Sequence, residues 1–481
     1  MTIKSLKLLT WLDVGRTIYD RTSYGANLPE GVVSISSFSS ALEINVNSQE
    51  SIVNAKNALK QWFGDCYRED ESIINLNLEN AELPVEFSIE EQNHPKSPTY
   101  IRPFWKEIGY IDTNLVTETE ETKRRKLLRL PEPYNENPNL LAFYSFKGDV
   151  ERTLNLAAYL FALLDKAKQL DNSIKVLVID ADLLAPGLTY WNRNEKKPSS
   201  ISYIDFLELV HYSPIDDEET LLFIAQELEK SSQQEGKSTI YFLPAYTDEK
   251  QLLDIQILPE HIVSYPNGVW ELGNYIHKLG KAVGADYVLI DLGSGLNKIS
   301  SPILLDARFQ RFLVTTINEP SVAGTTLCLS QMKKVAPLKT SVNDNKYYDP
   351  SVIISMLTPE LIASPAYEDV LARLNSAYTQ SEQENNSIML EIAKNFFSPQ
   401  LLYIDNWEEA HLKLASTSIM EIATSWANKQ VEFNKIILEN LDPVVVEKLQ
   451  IRATHTGRSL LEEVKVIVEE AIQYENTPAP Q

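Results

Sequence analysis

Residues 140–164, LLAFYSFKGDVERTLNLAAYLFALL, constrain this chain more than any other stretch. A short apolar run fit for a buried strand leads through a polar loop into a long apolar helix. In that layout the backbone N–H groups of the first helical turn face the end of the strand and form a ready anion site. Loops of this kind favour glycine, because the backbone must approach the anion and take positive φ. Here Asp149 and Glu151 stand at two of those positions.

Downstream, short apolar segments alternate with helical ones. Strands are expected at Leu140–Ser145, Lys175–Ile179, Ile240–Leu243, Tyr287–Ile290, Arg311–Thr316 and Val352–Met356, with a helix over Thr153–Leu170. That alternation predicts an α/β fold, a parallel sheet covered on both faces, with ligands at the C-terminal strand ends. Residues 1–115 read as a small α/β domain: strands at Lys7–Leu12, within Val32–Val46 and at Ile74–Leu78, and a helix over Ser51–Phe63. Asp13, Arg16 and Asp20 there read as a solvated helix face. Residues 116–138 read as a linker, switching from acidic to basic and then Pro- and Asn-rich. Its cluster Lys123, Arg124, Arg125, Lys126 and Arg129 is expected to pair with the glutamates before it, with nucleic acid or an acidic partner as the alternative. The main domain spans 139–430, a third unit 434–475, and residues 476–481 form a polar tail expected to be disordered.

The 481 residues carry a net charge of −23, which disfavours DNA and anionic lipid except through a local basic face. No apolar run is long enough to span a membrane, so no membrane insertion is expected. Two distant cysteines, Cys66 and Cys328, and an N-terminus unlike a signal peptide lead to the expectation of a cytoplasmic protein.

Three strand ends carry groups suited to phosphate and metal chemistry. The first offers Lys147, Gly148, Arg152 and Thr153; the second Asp180 and Asp182; the third Asp291, followed by Gly293 and Gly295. Strand-end carboxylates of this kind hold the waters of a metal ion or orient an attacking water. FYSFKGDVERT, VIDADLLAPGL and DYVLIDLGSGL, in that order, resemble the ParA/MinD (deviant Walker A) P-loop ATPases whose loop reads KGGVGRT. Phe242–Ala245 and Thr315–Thr325 resemble later segments of that family, so the resemblance covers roughly residues 138–430. It implies a dimer around two ATP molecules with Mg2+. It assigns Lys147 to reach across the dimer, Gly148 and Arg152 to contact phosphates, and Thr153 to ligate Mg2+. Asp182 would be the hydrolytic aspartate and Asp291 the Walker B metal partner.

The departures at Asp149 and Glu151 are physical obstacles. Two unit charges about 4 Å apart at an effective dielectric of about 20 repel by about 4 kcal/mol. Each such contact lowers phosphate affinity by about a thousandfold. An arginine at 152 also presents a planar fork where a lysine presents a compact charge.

The C-terminal unit opens with a strand at Lys435–Leu438. Asp442 and Pro443 then start a helix, Gly457 stops it, and Ser459 with Glu462 caps the next. IILENLDPVVVEKLQIRATHTGRSLLEEVKVIVEEAI resembles the ribbon-helix-helix family, nearest to FitA-type antitoxins. The resemblance implies dimerisation through paired strands, with the ribbon entering the DNA major groove. Alternation turns Lys435, Ile437 and Glu439 outward as the DNA-facing residues. Five basic against eight acidic side chains leave this unit net −3, a poor surface for DNA.

Together these features lead to one expectation: a ParA/MinD-like protein with a degenerate site, a dimeric scaffold or switch with an unknown protein partner. An active ATPase in partitioning or defence, and a ribbon-helix-helix transcriptional regulator, are the alternatives.

Overall fold

The computed structural model describes residues 8, 10–22, 27–77, 81–89, 111–112, 128–129, 131–134, 136–194, 198–212, 216–253, 255, 270–296, 300–334, 347–378, 390–435 and 443–456. The chain divides into two compact units, Met1–Pro131 and Glu132–Gln481.

The first unit contains helices α1 (Trp11–Arg21) and α2 (Gln49–Phe63). Its strands are β1 (Val32–Ser37), β2 (Leu42–Val46), β3 (Tyr67–Arg68), β4 (Ile73–Asn75) and β5 (Glu82–Ile89). They form one sheet in the order β1-β2-β5-β4-β3, with only the β2–β5 pair parallel. Ala55, Leu59, Trp62 and Phe63 of α2 pack with Val14, Ile18, Ile44 and Val85 in one core. The strand expected at Lys7–Leu12 is corrected, because Trp11 and Leu12 are helical. Asp13 accepts the Thr10 backbone N–H at 3.0 Å, so the Thr10–Asp13 spacing marks a helix start. Asp13 also pairs with Arg16 at 2.9 Å on the exposed side of α1. A two-stranded parallel pair, β6 (Ile111–Asp112) and β7 (Leu128–Arg129), lies in the stretch 90–130.

The second unit is built on an eight-stranded sheet. Its strands are β8 (Asn139–Ser145), β9 (Lys175–Ala181), β10 (Gln233–Glu235), β11 (Ser238–Leu243), β12 (Tyr287–Leu292), β13 (Gln310–Thr315), β14 (Ser351–Leu357) and β15 (Glu391–Phe396). The order is β10-β11-β9-β12-β8-β13-β14-β15, parallel throughout except the edge strand β10. The expected α/β class and parallel sheet are both present. The central strands are apolar without alternation, as burial on both faces requires. The helices that bear on the argument are α3 (Arg152–Gln169), α4 (Gly187–Trp191), α5 (Glu271–Ala282), α6 (Glu319–Lys334), α7 (Trp407–Leu414), α8 (Ser418–Lys435) and α9 (Pro443–Thr456).

Helix α3 is buried from Leu156 to Leu164 without interruption. A helix apolar all round needs cover on every side, and α3 has the sheet on one side and α7 and α8 on the other. Tyr159 meets Phe143 and Phe312 at 5.9 and 5.6 Å between ring centroids, and Phe312 meets Trp426 at 4.7 Å. Such ring pairs contribute about 0.5–1.5 kcal/mol each beyond their buried area. They hold the middle of α3 against β8 and β13.

Residues 132–138, expected as the end of a linker, belong to this unit. Tyr134 stacks on His277 at 3.9 Å, and the Arg308 guanidinium lies 4.2 Å over its ring. Proline and asparagine shape this entry to β8 rather than freeing it. At the other end α8 continues through Lys435, so the strand expected to open there does not begin at that residue. Helix α9 begins at Pro443 and ends one residue before Gly457. Residues 436–442, with Ile437 and Glu439, and the helix expected after Ser459 lie outside the described residues. Among the described residues no helix is long and apolar enough to cross a membrane.

Candidate nucleotide site

Strands β9, β12 and β8 are adjacent, so their C-terminal ends bring together the three groups read from the sequence. Asp291 pairs in register with Phe143 of β8 and Asp180 of β9. The loop 146–151 links β8 to α3, and Thr153 lies in the first turn of that helix. Gly187, at the start of α4, lies against Thr153. The glycine loop after β12 is tied back to β8, because Tyr144 Oη donates to Gly295 O at 2.9 Å.

The loop keeps a glycine-like backbone without the glycines. Asp149 has φ 57° and Glu151 φ 65°, both left-handed. Side chains reach that region at a cost of about 1–2 kcal/mol. The Glu151 carboxyl turns inward, accepts the backbone N–H of Met356, and keeps Oε2 buried without a hydrogen-bond partner. Burial pushes its pKa from 4.5 up to about 7. Met356 is itself left-handed at φ 56°, and Ser355 Oγ donates to Val150 O at 2.9 Å. Strand β14 therefore supports the loop from the far side.

Arg152 does not extend to solvent. Its guanidinium Nε donates to Asp291 Oδ1 at 2.6 Å and its Nη2 to Asp182 Oδ2 at 2.8 Å. Arg152 is 8% exposed, Asp182 2% and Asp291 0%. The two carboxylates raise the arginine's pKa against the opposing effect of burial, so the guanidinium stays charged. Burial pushes Asp291 upward, and Arg152 opposes that shift. Thr153 Oγ1 donates to the other oxygen of Asp291 at 2.7 Å. Both Asp291 oxygens are thus engaged by protein donors.

Asp182 Oδ1 caps the next loop, accepting the N–H groups of Leu184 and Ala185 at 3.1 and 3.0 Å. Asp180, fully buried, accepts the N–H and hydroxyl of Thr189 on α4 at 2.8 Å each. Burial nevertheless pushes its pKa to about 7. Lys147 and Gly148 lie exposed on the loop.

A cavity of about 340 Å3 lies over this cluster, walled by the loop, Asp182, Ser294, Met356 and Leu402. Asp149 and Glu151 both line it. The arrangement does not fit Mg2+ and ATP. The hydroxyl and carboxylate suited to the metal are bonded to each other, and a fixed guanidinium spans the two aspartates. Among the described residues no group of three or more His, Cys, Asp or Glu side chains is placed to hold a metal ion. What the cluster does chemically is neutralise buried aspartates from within the chain. The inward turn of Arg152 and the roles of Thr189 and Ser355 have no local signature, because their partners are distant in sequence. Lys435, Ile437 and Glu439 are not brought to this site: Lys435 ends α8, and the other two lie outside the described residues.

No protein-family model and no curated protein sequence matches the chain. Its sheet and covering helices define an α/β protein whose solved neighbours are ParA/MinD-family P-loop ATPases. The ParA family ATPase from Chlorobium tepidum TLS is 16% identical, over 61% of this chain and 98% of that one, with a TM-score of 0.39. The septum site-determining protein MinD from Pyrococcus horikoshii OT3, complexed with Mg-ADP, is 16% identical over 61% and 96%, at 0.40. Apo McdA from Cyanthece is 18% identical over 60% and 99%, at 0.39. These are likenesses of fold at low identity.

Proposed function

We propose that the chain is a ParA/MinD-like P-loop protein whose nucleotide site is closed by its own arginine, and that it works as a dimeric scaffold or switch without ATP. The observation that carries this reading is the ion pairing of Arg152 with Asp291 and Asp182, completed by Thr153 on Asp291. A fixed internal cation balances the carboxylates that a nucleotide-bound metal would otherwise face. Asp149 adds negative charge to the cavity where phosphates would enter, and Glu151 adds more as pH rises through about 7. ATP and Mg2+ are therefore not its working cofactors, and hydrolysis is lost.

Dimerisation is assigned to the segment 434–475, in keeping with its resemblance to ribbon-helix-helix chains and with a helix that opens at Pro443. Its acidic balance argues against DNA as the main partner. Sedimentation of the full chain and of a chain lacking 434–475, each with and without Mg-ATP, tests the reading. The full chain is expected to be a dimer in both conditions and the shortened chain a monomer. A dimer that forms only with Mg-ATP would refute it.

A further inference from the structure

The left-handed turn at Glu151 stands at the opening of α3, where a helix ordinarily begins from extended backbone. Such a turn persists only where its neighbours over-determine it. Two donors hold its carbonyl, and both belong to Asn155. The backbone N–H of Asn155 donates to Glu151 O at 3.0 Å, and its side-chain Nδ2 donates to the same oxygen at 2.7 Å. Arg152 is the next residue, so the plane of the peptide between Glu151 and Arg152 sets where its side chain leaves the helix.

The Asn155 amide is itself oriented from another element. Asn395 on β15, an edge strand, donates Nδ2 to Asn155 Oδ1 at 2.8 Å. Both side chains are buried, Asn155 at 4% exposure and Asn395 at 0%. The direction of this pair is imposed from the loop. With its Nδ2 on Glu151 O, Asn155 has only an acceptor to offer, so Asn395 meets it with its donor. Asn395 Oδ1 is left buried without a hydrogen-bond partner, which is costly. Reversing either amide would set two oxygens against each other. Phe396, the next residue, donates its N–H to Ser418 Oγ of α8 at 2.8 Å and anchors this end of the strand.

We propose that Asn155 and Asn395 are positioning residues, a one-way amide relay from β15 that holds the Glu151 turn and so keeps Arg152 on Asp182 and Asp291. The relay rests on the reading of a closed site and names what holds the closure from outside the loop. Neither asparagine lines the cavity over the cluster.

Modification of the full chain by phenylglyoxal without nucleotide, followed arginine by arginine by mass spectrometry, tests this. In the parent, Arg152 is expected to react at least about tenfold more slowly than Arg16, whose side chain is 55% exposed. Asn155→Ala and Asn395→Ala are each expected to speed Arg152 by about tenfold. The double variant should react no faster than Asn155→Ala alone, because Asn395 acts only through Asn155. Arg308, 4% exposed in its own ion pair with Asp306, should keep its parental rate throughout, whereas a general loosening would speed both arginines. An unchanged Arg152 rate in Asn395→Ala, multiplied effects in the double variant, or equal acceleration of Arg308 overturns the relay and leaves the closed site standing. Fast modification of Arg152 in the parent overturns both. If Asn395→Ala does not fold, Asn395→Leu keeps the volume without the donor, and a parental Arg152 rate in that variant overturns the relay equally.

Discussion

Arg152 Nε donates to Asp291 Oδ1 at 2.6 Å, joining residues 139 apart in sequence at the centre of the sheet. The contact places a permanent cation at the end of β12, where sequence reasoning expects a metal's partner. With the contact to Asp182 it explains how Asp291 and Asp182 stay buried together at adjacent strand ends, and it makes the arginine structural.

Removing that cation leaves Asp291 and Asp182 buried and unbalanced. Arg152→Ala is expected to destabilise the second unit by about 3–5 kcal/mol, read as a lower urea midpoint. Arg152→Lys keeps the charge but loses the fork that reaches both aspartates, and is expected to cost less. An unchanged midpoint in Arg152→Ala would show that the ion pair contributes nothing.

Stability should fall as pH rises through neutrality. Glu151 has a folded-state pKa of about 7, above its ordinary 4.5, because it is buried. The folded chain therefore holds this proton longer than the unfolded one. The stability it contributes is full below about pH 4.5 and is lost as pH rises through about 7. The shift corresponds to about 3 kcal/mol at most. Asp180, raised to about 7 by burial, acts in the same direction. Glu151→Gln is expected to flatten the profile of unfolding free energy between pH 5 and 8 in part, leaving the slope due to Asp180. A mutant whose profile matches the parent's excludes Glu151 as a source.

The left-handed backbone at 149 and 151 is testable separately from charge. Asp149→Gly and Glu151→Gly each relieve a strained φ, against the entropy glycine gains in the unfolded chain. Each is expected to be neutral or to stabilise by up to about 1 kcal/mol by denaturant unfolding. Neither substitution alone releases Arg152, so nucleotide binding is expected only when both are combined with Arg152→Lys.

Much of this was legible in the sequence, for reasons of pattern. β8, β9, β11, β12, β13 and β14 are buried apolar runs, and burial on both faces leaves that mark. The edge strands β10, QQE, and β15, EIAKNF, are half polar and carry no such mark. The start of α1 reads as a strand because KLLTWL is apolar, although Thr10 and Asp13 spell a cap. Asp180, Asp182 and Asp291 could be placed at strand ends, since their register follows from the sheet. The direction of the Arg152 side chain could not, because it depends on carboxylates far along the chain.

Gly324 on α6 has a packing reason that the sequence hides. A Cβ there would overlap the ring of Phe146, the first residue of the loop. Gly324→Ala is expected to destabilise by about 1–3 kcal/mol through overpacking. Phe146→Ala should relieve that added cost, so a double-mutant cycle reads the coupling directly. Additive effects would mean that the helix and the loop do not bear on each other.

The most direct measurement is equilibrium binding of a labelled, non-hydrolysable ATP analogue with Mg2+ to the full chain. A site closed by Arg152 predicts no saturable binding into the high micromolar range, and binding gained only when Asp149→Gly, Glu151→Gly and Arg152→Lys are combined. Micromolar binding by the parent chain, abolished by Asp291→Ala, would contradict it.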